Sequence, residues 1–231
     1  MKRFWKKVAV EQCGEGLAIV LDGKPVRTPA RAPLELPNEA LADAIADEWR
    51  SVEQDVDPRA MPLTGLANAA IDRVVPDKAA FAAGLARYAE ADLTCYRATG
   101  PTALVAVQEV AWDALLGWAR RRYDVDFVTT QGVTHVAQPP ATVEQLSHAV
   151  EALDAFHLAG LSPLVTISGS LIAALALFEG AITPEQAWDA VSIDERWQIE
   201  QWGADAEAEA AIEDRRSDFL AAAKFLELLD A

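Results

Sequence analysis

Apolar residues follow two different spacings along this chain, and the change falls near Pro37. Before it the period is short. Val8 and Val10 alternate with Lys7, Ala9 and Glu11, the glycines of Cys13-Gly14-Glu15-Gly16 make a turn, and Leu17 to Leu21 forms a second apolar run. Asp22-Gly23 is a strong hairpin signal, with Lys24 to Thr28 returning as a third strand and Leu34 to Leu36 adding a short edge. Prolines at 25, 29, 33 and 37 keep helix out of this region. After Pro37 the period becomes helical. Asn38 is the expected N-cap of a helix whose inner face is Leu41, Ile45, Trp49 and Val52, and the opposite face is acidic. Met61-Pro62 breaks the chain, Thr64 to Val74 reads as a second helix, and Pro76 restarts a third that runs to about Tyr96.

Gly100-Pro101 opens a long helix, with Leu104, Val107, Ala111, Leu115 and Trp118 on one stripe. Arg120, Arg121 and Arg122 sit near its end, where cations meet the helix dipole favourably. A β interruption follows: Val125, Phe127, Val128 and Thr129 are extended in pattern, Gly132 to Gln138 is their expected partner, and Pro139-Pro140 closes the segment. Capping boxes at Thr142/Gln145, Thr183/Gln186 and Ser192/Glu195 mark three further helix starts, the second strengthened by Pro184 at the first helical position. The last helix is expected from about Asp205 to Leu229, with Ile212, Phe219, Ala223 and Leu226 inward. The run Leu161 to Phe178 is too short and too dotted with hydroxyls for a membrane span, so a helix buried on all sides is expected there. The fold class is therefore α+β: a small N-terminal antiparallel β domain over residues 1–37, then a mainly helical domain over 38–231 with a small β insert near 125–138.

Composition narrows the function classes. The formal net charge of −16 argues against nucleic acid and against an anionic membrane surface, and favours solubility and steering toward a basic partner. Cys13 and Cys95 form no Cys-x-x-Cys pair and no disulfide framework, so a reducing compartment is expected. The basic start, with Lys2, Arg3, Lys6 and Lys7, has no apolar signal core after it and no transit-peptide character, which points to the bacterial cytoplasm. Acids are concentrated: Glu39 to Asp57 carries seven against one base, and Asp194 to Ala231 carries eleven against four. The plain reading is two solvated helix faces; the functional one is an acidic groove between them. Seven tryptophans are present, and Trp197 and Trp202 lie amid polar and acidic groups, as aromatics of interaction surfaces do.

Candidate chemistry is thin. Gly14-x-Gly16 lacks the third glycine of a dinucleotide loop and is flanked by strands, so a hairpin explains it, and no P-loop is present. Ser168-Gly169-Ser170 lacks the Gly-x-Ser-x-Gly framing of a nucleophile elbow. His135, His148 and His157 have no metal-ligand spacing, and Cys95 is more simply a small buried hydrophobe than a nucleophile. No catalytic residue, metal or cofactor is expected.

Certain segments together resemble the Atp-twelve family of ATP synthase assembly chaperones. They are Arg3-Phe4-Trp5-Lys6; Leu21-Asp22-Gly23-Lys24-Pro25-Val26-Arg27-Thr28-Pro29; Glu48-Trp49; Met61-Pro62-Leu63-Thr64; Asp92-Leu93-Thr94-Cys95-Tyr96-Arg97-Ala98 before Pro101; Gln108 with Trp112-Asp113; and Asp194 through Gly203. They occur in order over nearly the whole chain. The resemblance implies a small β domain followed by a helical one, no ATP hydrolysis, and a monomer that binds the unassembled alpha subunit of the synthase's catalytic sector until beta replaces it. It implies a cytoplasmic setting in bacteria and the mitochondrial matrix for eukaryotic relatives. Carried over by motif, the partner-binding residues are Glu195 and Glu200, with Trp202 and Trp49 as contacts or supports. Two alternatives stay open: a small-molecule enzyme built on Glu195, Glu200 and Arg97, and a structural subunit that stays in the finished complex.

Overall fold

The computed structural model describes residues 2–203 and 206–231. The chain divides into two compact units. The first takes Met1–Lys78, Asp154–Gly160 and Lys224–Ala231; the second takes Ala79–Leu153 and Leu161–Ala223.

In the first unit, β1 (Val8–Cys13) pairs antiparallel with β2 (Gly16–Leu21), Val8 opposite Leu21 and Cys13 opposite Gly16. Two short strands, β3 (Lys24–Pro25) and β4 (Glu35–Leu36), also pair antiparallel with β2. Gly16 is required where β4 crosses it, because a Cβ there would stand 2.6 Å from the Leu36 carbonyl oxygen. The hairpin turn holds the N-terminal arm: the Asp22 carboxylate accepts from the Lys6 and Lys7 amides, and these hydrogen bonds, that of Lys7 foremost, keep its carboxyl below the usual range.

Helix α1 (Glu39–Ser51) begins as its sequence predicts. Asn38 Oδ1 accepts from the Leu41 amide at 2.9 Å, and Asn38 Nδ2 donates to the carbonyls of Leu228 and Leu229, each at 2.9 Å. Its inner face of Leu41, Ile45 and Trp49 joins Trp5, Ile19, Leu21, Leu34, Leu36 and Phe225 in one hydrophobic core. Pro37 thus marks a change of secondary structure inside a continuous core, and the compact unit carries on to Lys78. The Trp5 and Trp49 rings meet edge to face at 5.2 Å, and Trp5 Nε1 donates to the Trp49 carbonyl.

The second and third helices are shorter than their sequence patterns. Helix α2 (Pro62–Ala69) gives way to a π-helical turn at Ala70–Val74. Its first turn is satisfied by Glu48, whose carboxylate accepts from the Leu63 and Thr64 amides and from the Thr64 hydroxyl; burial still pushes the Glu48 carboxyl up. Helix α3 (Lys78–Ala86) does not reach Tyr96. Two 3₁₀ turns, Arg87–Glu90 and Leu93–Cys95, follow it, because the Asp92 side chain accepts from the Thr94 amide and offers the backbone an alternative to helix.

In the second unit, β5 (Tyr96–Arg97) leads to α4 (Thr102–Tyr123). Strand β6 (Thr130–Gln131) pairs with β5, in parallel, so the expected hairpin between residues 125–129 and 132–138 does not form. The Gln138 side chain supplies the reason: its amide accepts from Val128 N and donates to Val128 O, both at 2.9 Å, so one side chain satisfies the backbone a strand would have paired. Helix α5 (Pro140–Glu151) starts without the Thr142 box, since the Thr142 hydroxyl donates to the Asp126 carbonyl instead. The apolar run Leu161 to Phe178 is two helices, α6 (Ala155–Ser168) and α7 (Leu171–Phe178), broken at Gly169, whose φ of 69° is open to glycine. No helix among the described residues is long and apolar enough to cross a membrane.

Helix α8 (Pro184–Val191) carries the complete Thr183/Gln186 capping box. Helix α9 (Ile193–Trp202) lacks its box, because the Ser192 hydroxyl donates back to the Trp188 carbonyl. Helix α10 (Ala206–Leu229) closes the chain, with Phe219, Ala223 and Leu226 buried as expected; its anticipated start at Asp205 lies outside the described residues. The class is α+β, a small antiparallel sheet near the N-terminus followed by helices.

Two glycines in helices make opposite predictions. A Cβ on Gly160 would lie 2.7 Å from Leu226 Cδ2 and 3.0 Å from Phe225 Cδ1. Gly160→Val is expected to cost about 2 kcal/mol through overpacking. Around Gly84 nothing lies within 4 Å, so Gly84→Ala is expected to stabilise by about 0.5–1 kcal/mol through helix propensity. Urea denaturation of both variants checks the pair.

Candidate functional site

The acidic segment forms α9, and its side chains divide by role. Asp194 Oδ1 accepts from Gln108 Nε2 at 2.5 Å, while Gln108 Oε1 accepts from the Ala98 amide at 2.8 Å. Gln108 is buried, so this chain of bonds anchors the start of α9 to α4. Glu195 pairs with Arg215 of α10 at 2.5 Å, both half-exposed. That pairing replaces the capping role its sequence position implied. Glu200 is exposed and makes no ion pair among the described residues. Trp202 is 79% exposed at the end of the helix. Trp49 is different: it is 7% exposed and sits in the core of the first unit, so it supports the fold. Of the two acidic segments, Glu39 to Asp57 lies in the first unit, while Asp194 to Ala231 lies in the second as far as Ala223 and in the first from Lys224.

The residues of the enzyme alternative each have separate surroundings. Arg97 is buried, pairs with Asp113 at 2.5 Å and lies over the Trp112 ring at 5.0 Å. Glu195 lines a small pocket of about 170 Å³ with Ser168, Ser192 and Arg215, and neither Arg97 nor Glu200 lines it. The carboxyls that burial does push up, Asp92 and Glu48, are both spent on backbone amides at helix starts. The serines are spent as well. Ser168 donates to the Leu164 carbonyl and Ser170 to Asp92, and both are buried. Among the described residues no group of three or more His, Cys, Asp and Glu side chains is placed to hold a metal.

What pattern reading missed is the outer face of α4. Its buried stripe is Leu104, Gln108, Trp112, Leu115, Leu116, Ala119 and Tyr123, turned ~80° around the helix from the expected one. The stripe turns because two polar partners lie inside: Gln108 meets Asp194, and Trp112 Nε1 donates to the Ala190 carbonyl at 2.7 Å. Val107 is left 46% exposed and Val110 80% exposed. With Ala114 and Trp118 of α4, Ile182 before α8, and Ile193 of α9, they line an apolar groove of about 860 Å³. Arg121, Asp189 and Arg196 stand at its polar margin. The signal available in the sequence was Gln108 and Trp112 at helical spacing, a polar pair that sets a buried face only if both find partners.

An open groove of this size lined by aliphatic side chains is an exposed apolar patch of the kind that marks interaction surfaces. The chain belongs to the ATP12 chaperone protein family, whose model matches residues 2–120. Its structure is similar to Atp12 from Paracoccus denitrificans, with a TM-score of 0.93 and 44% identity over 98% of this chain and 97% of that one. An aspartate-to-lysine mutant of Paracoccus denitrificans Atp12p matches with a TM-score of 0.93 and 43% identity, over 98% and 97% of the two chains. A proposed chaperone from Agrobacterium tumefaciens matches with a TM-score of 0.94 and 41% identity, over 99% of this chain and 86% of that one. The family model stops at residue 120, short of α9, and the solved relatives extend the likeness through it.

The two thiols are expected to differ in reactivity. Burial, and next the Asp92 charge, push the Cys95 thiol up to about 12, and the residue is fully buried. Cys13 is half-buried at the end of β1. Thiol titration with Ellman's reagent at mildly alkaline pH is expected to count Cys13 alone in the folded protein and both residues in denaturant, since the thiolate is the reacting form. Rapid labelling of folded Cys95 would reopen it as a nucleophile.

Proposed function

We propose that this chain is an ATP-independent assembly chaperone that binds the unassembled alpha subunit of the ATP synthase catalytic sector, covers its subunit-facing apolar surface, and yields it to beta. The observation that carries the reading is the likeness to Atp12 along 98% of the chain, within a family of chaperones. An exposed apolar groove supports it, because a subunit surface made to be buried is apolar and aggregates when left bare. Exchange for beta requires a complex weaker than the final assembly, which an interface of roughly 1,600 Å² or less allows.

In this reading Glu200 and Trp202 contact the partner, Glu195 holds α9 in place through Arg215, and Trp49 keeps the first unit folded. The site of action is the bacterial cytoplasm. The decisive experiment is capture from cells: the chain should co-purify with free alpha and be missing from assembled synthase. Stoichiometric retention in the finished enzyme would instead make it a structural subunit.

Glu200→Lys is expected to change stability by less than about 0.5 kcal/mol, as an exposed side chain with no ion pair should. It is also expected to impair rescue of alpha from aggregation. Melting temperature and light scattering of alpha are measured on the same preparation. A variant that melts normally and protects alpha as well as the parent removes the acidic segment from the site.

Calorimetric titration with Mg-ATP is expected to give no saturable heat. The chain has no P-loop, and Gly14 and Gly16 serve the β1–β2 turn.

A further inference from the structure

The groove beside α4 has a shape and a charge that narrow its occupant. Its floor runs from Val107 to Trp118, about 16 Å at the rise of an α-helix, or three turns. Small side chains such as Ala111 and Ala114 line that floor, so another chain can approach closely. Apart from Ala181 and Ile182, which precede α8, the lining comes from the helices α4, α7, α8 and α9, whose backbone groups are engaged within them, and no strand edge lines the groove. An extended segment lying there would leave its own amides and carbonyls without partners, whereas a helix satisfies its own.

Charge adds the second constraint. Of the three arginines ending α4, Arg120 pairs with Asp126 and Arg122 with Glu179. Arg121 lines the groove and has no ion pair among the described residues. Arg196, the other cation at the margin, is already neutralised by Asp189 at 2.9 Å. In a chain with a net charge of −16, an exposed, uncommitted guanidinium at the end of an apolar groove selects a carboxylate.

We propose that this groove receives an amphipathic α-helix of the client, its apolar face on Val107, Val110 and Ala114 and an acidic side chain on Arg121. The identity of the client rests on the function proposed above; the chemistry of the groove does not. Two variants test it. Ala114→Trp fills the groove from an exposed position, and Arg121→Glu reverses its charge. Each is first checked for an unchanged melting temperature. The probes are purified unassembled alpha subunit and a short amphipathic helical peptide with a leucine face and one glutamate, made also with lysine in its place. The parent is expected to prefer the glutamate peptide, and Arg121→Glu the lysine peptide. Ala114→Trp is expected to weaken both alpha and peptide by about ten-fold or more, as blocking the centre of an interface does.

If both variants bind alpha like the parent and the peptide is not held, the groove proposal falls and the chaperone reading stands. If the parent ignores alpha but holds the peptide with the stated preferences, the chaperone reading falls and the groove stands. If the parent holds neither, or sediments as a dimer that Ala114→Trp dissolves, the proposed occupant is wrong.

Discussion

A single buried carboxylate organises the unit that carries the candidate site. Asp92 is fully buried and has no cation on it among the described residues; four donors converge on its two oxygens instead. The Thr94 amide and hydroxyl close the 3₁₀ turn that leads into β5, and the Ser170 hydroxyl and Ile172 amide close the start of α7. Burial drives the Asp92 carboxyl up, and the four donors work against that drive. Remove the carboxylate and four buried donors lose their acceptor at once, each at a cost of about 1–3 kcal/mol. Helix α7 is buried along Leu171 to Ala176, so its start has no water to fall back on. The position of α7 therefore depends on an acid whose two oxygens are both engaged by the fold.

The groove follows from a second set of buried polar bonds. Gln108 links the Ala98 amide to Asp194, and Trp112 reaches the Ala190 carbonyl. These bonds fix the rotation of α4, and rotation decides which residues face out. Had α4 turned to bury Val107 fully, Gln108 would have lost its two partners, a loss larger than one partly exposed valine recovers. Polar satisfaction inside thus produces apolar exposure outside. The floor of the groove belongs to a helix held for other reasons, so the surface is rigid before any partner arrives, which lowers the entropy cost of binding.

Much of this fold was legible in the sequence. The β-hairpins, the Asn38 cap and the inner face of α1 follow from period and turn chemistry, because each is decided within a few residues. What failed was decided at a distance. Thr142 gave its hydroxyl to Asp126, Ser192 gave its own to Trp188, and Gln138 took the backbone of Val128, so two capping boxes and one hairpin gave way to partners the pattern does not show. The same limit hid the groove. An apolar stripe on a helix reports hydrophobicity, and it cannot tell which of two adjacent faces goes inward when buried polar side chains also vote. For α9 the sequence placed the helix start correctly but misread the local role of Glu195, whose partner Arg215 lies twenty positions away.

Net charge and groove are two parts of one physical problem. A protein that receives an apolar surface must present one, and exposed apolar patches drive self-association. This chain carries an 860 Å³ aliphatic groove together with a net charge of −16, and most of that charge sits on two helical segments. Like-charge repulsion between copies opposes groove-to-groove contact, while it leaves a less acidic partner free to approach. At the margin of the groove, Arg121 is a cation with no ion pair among the described residues. An acidic group on a different chain would meet an open cation there. Selectivity of this kind is a difference between two affinities, and here the acidic surface raises the cost of the wrong partner while the groove supplies the attraction for the right one.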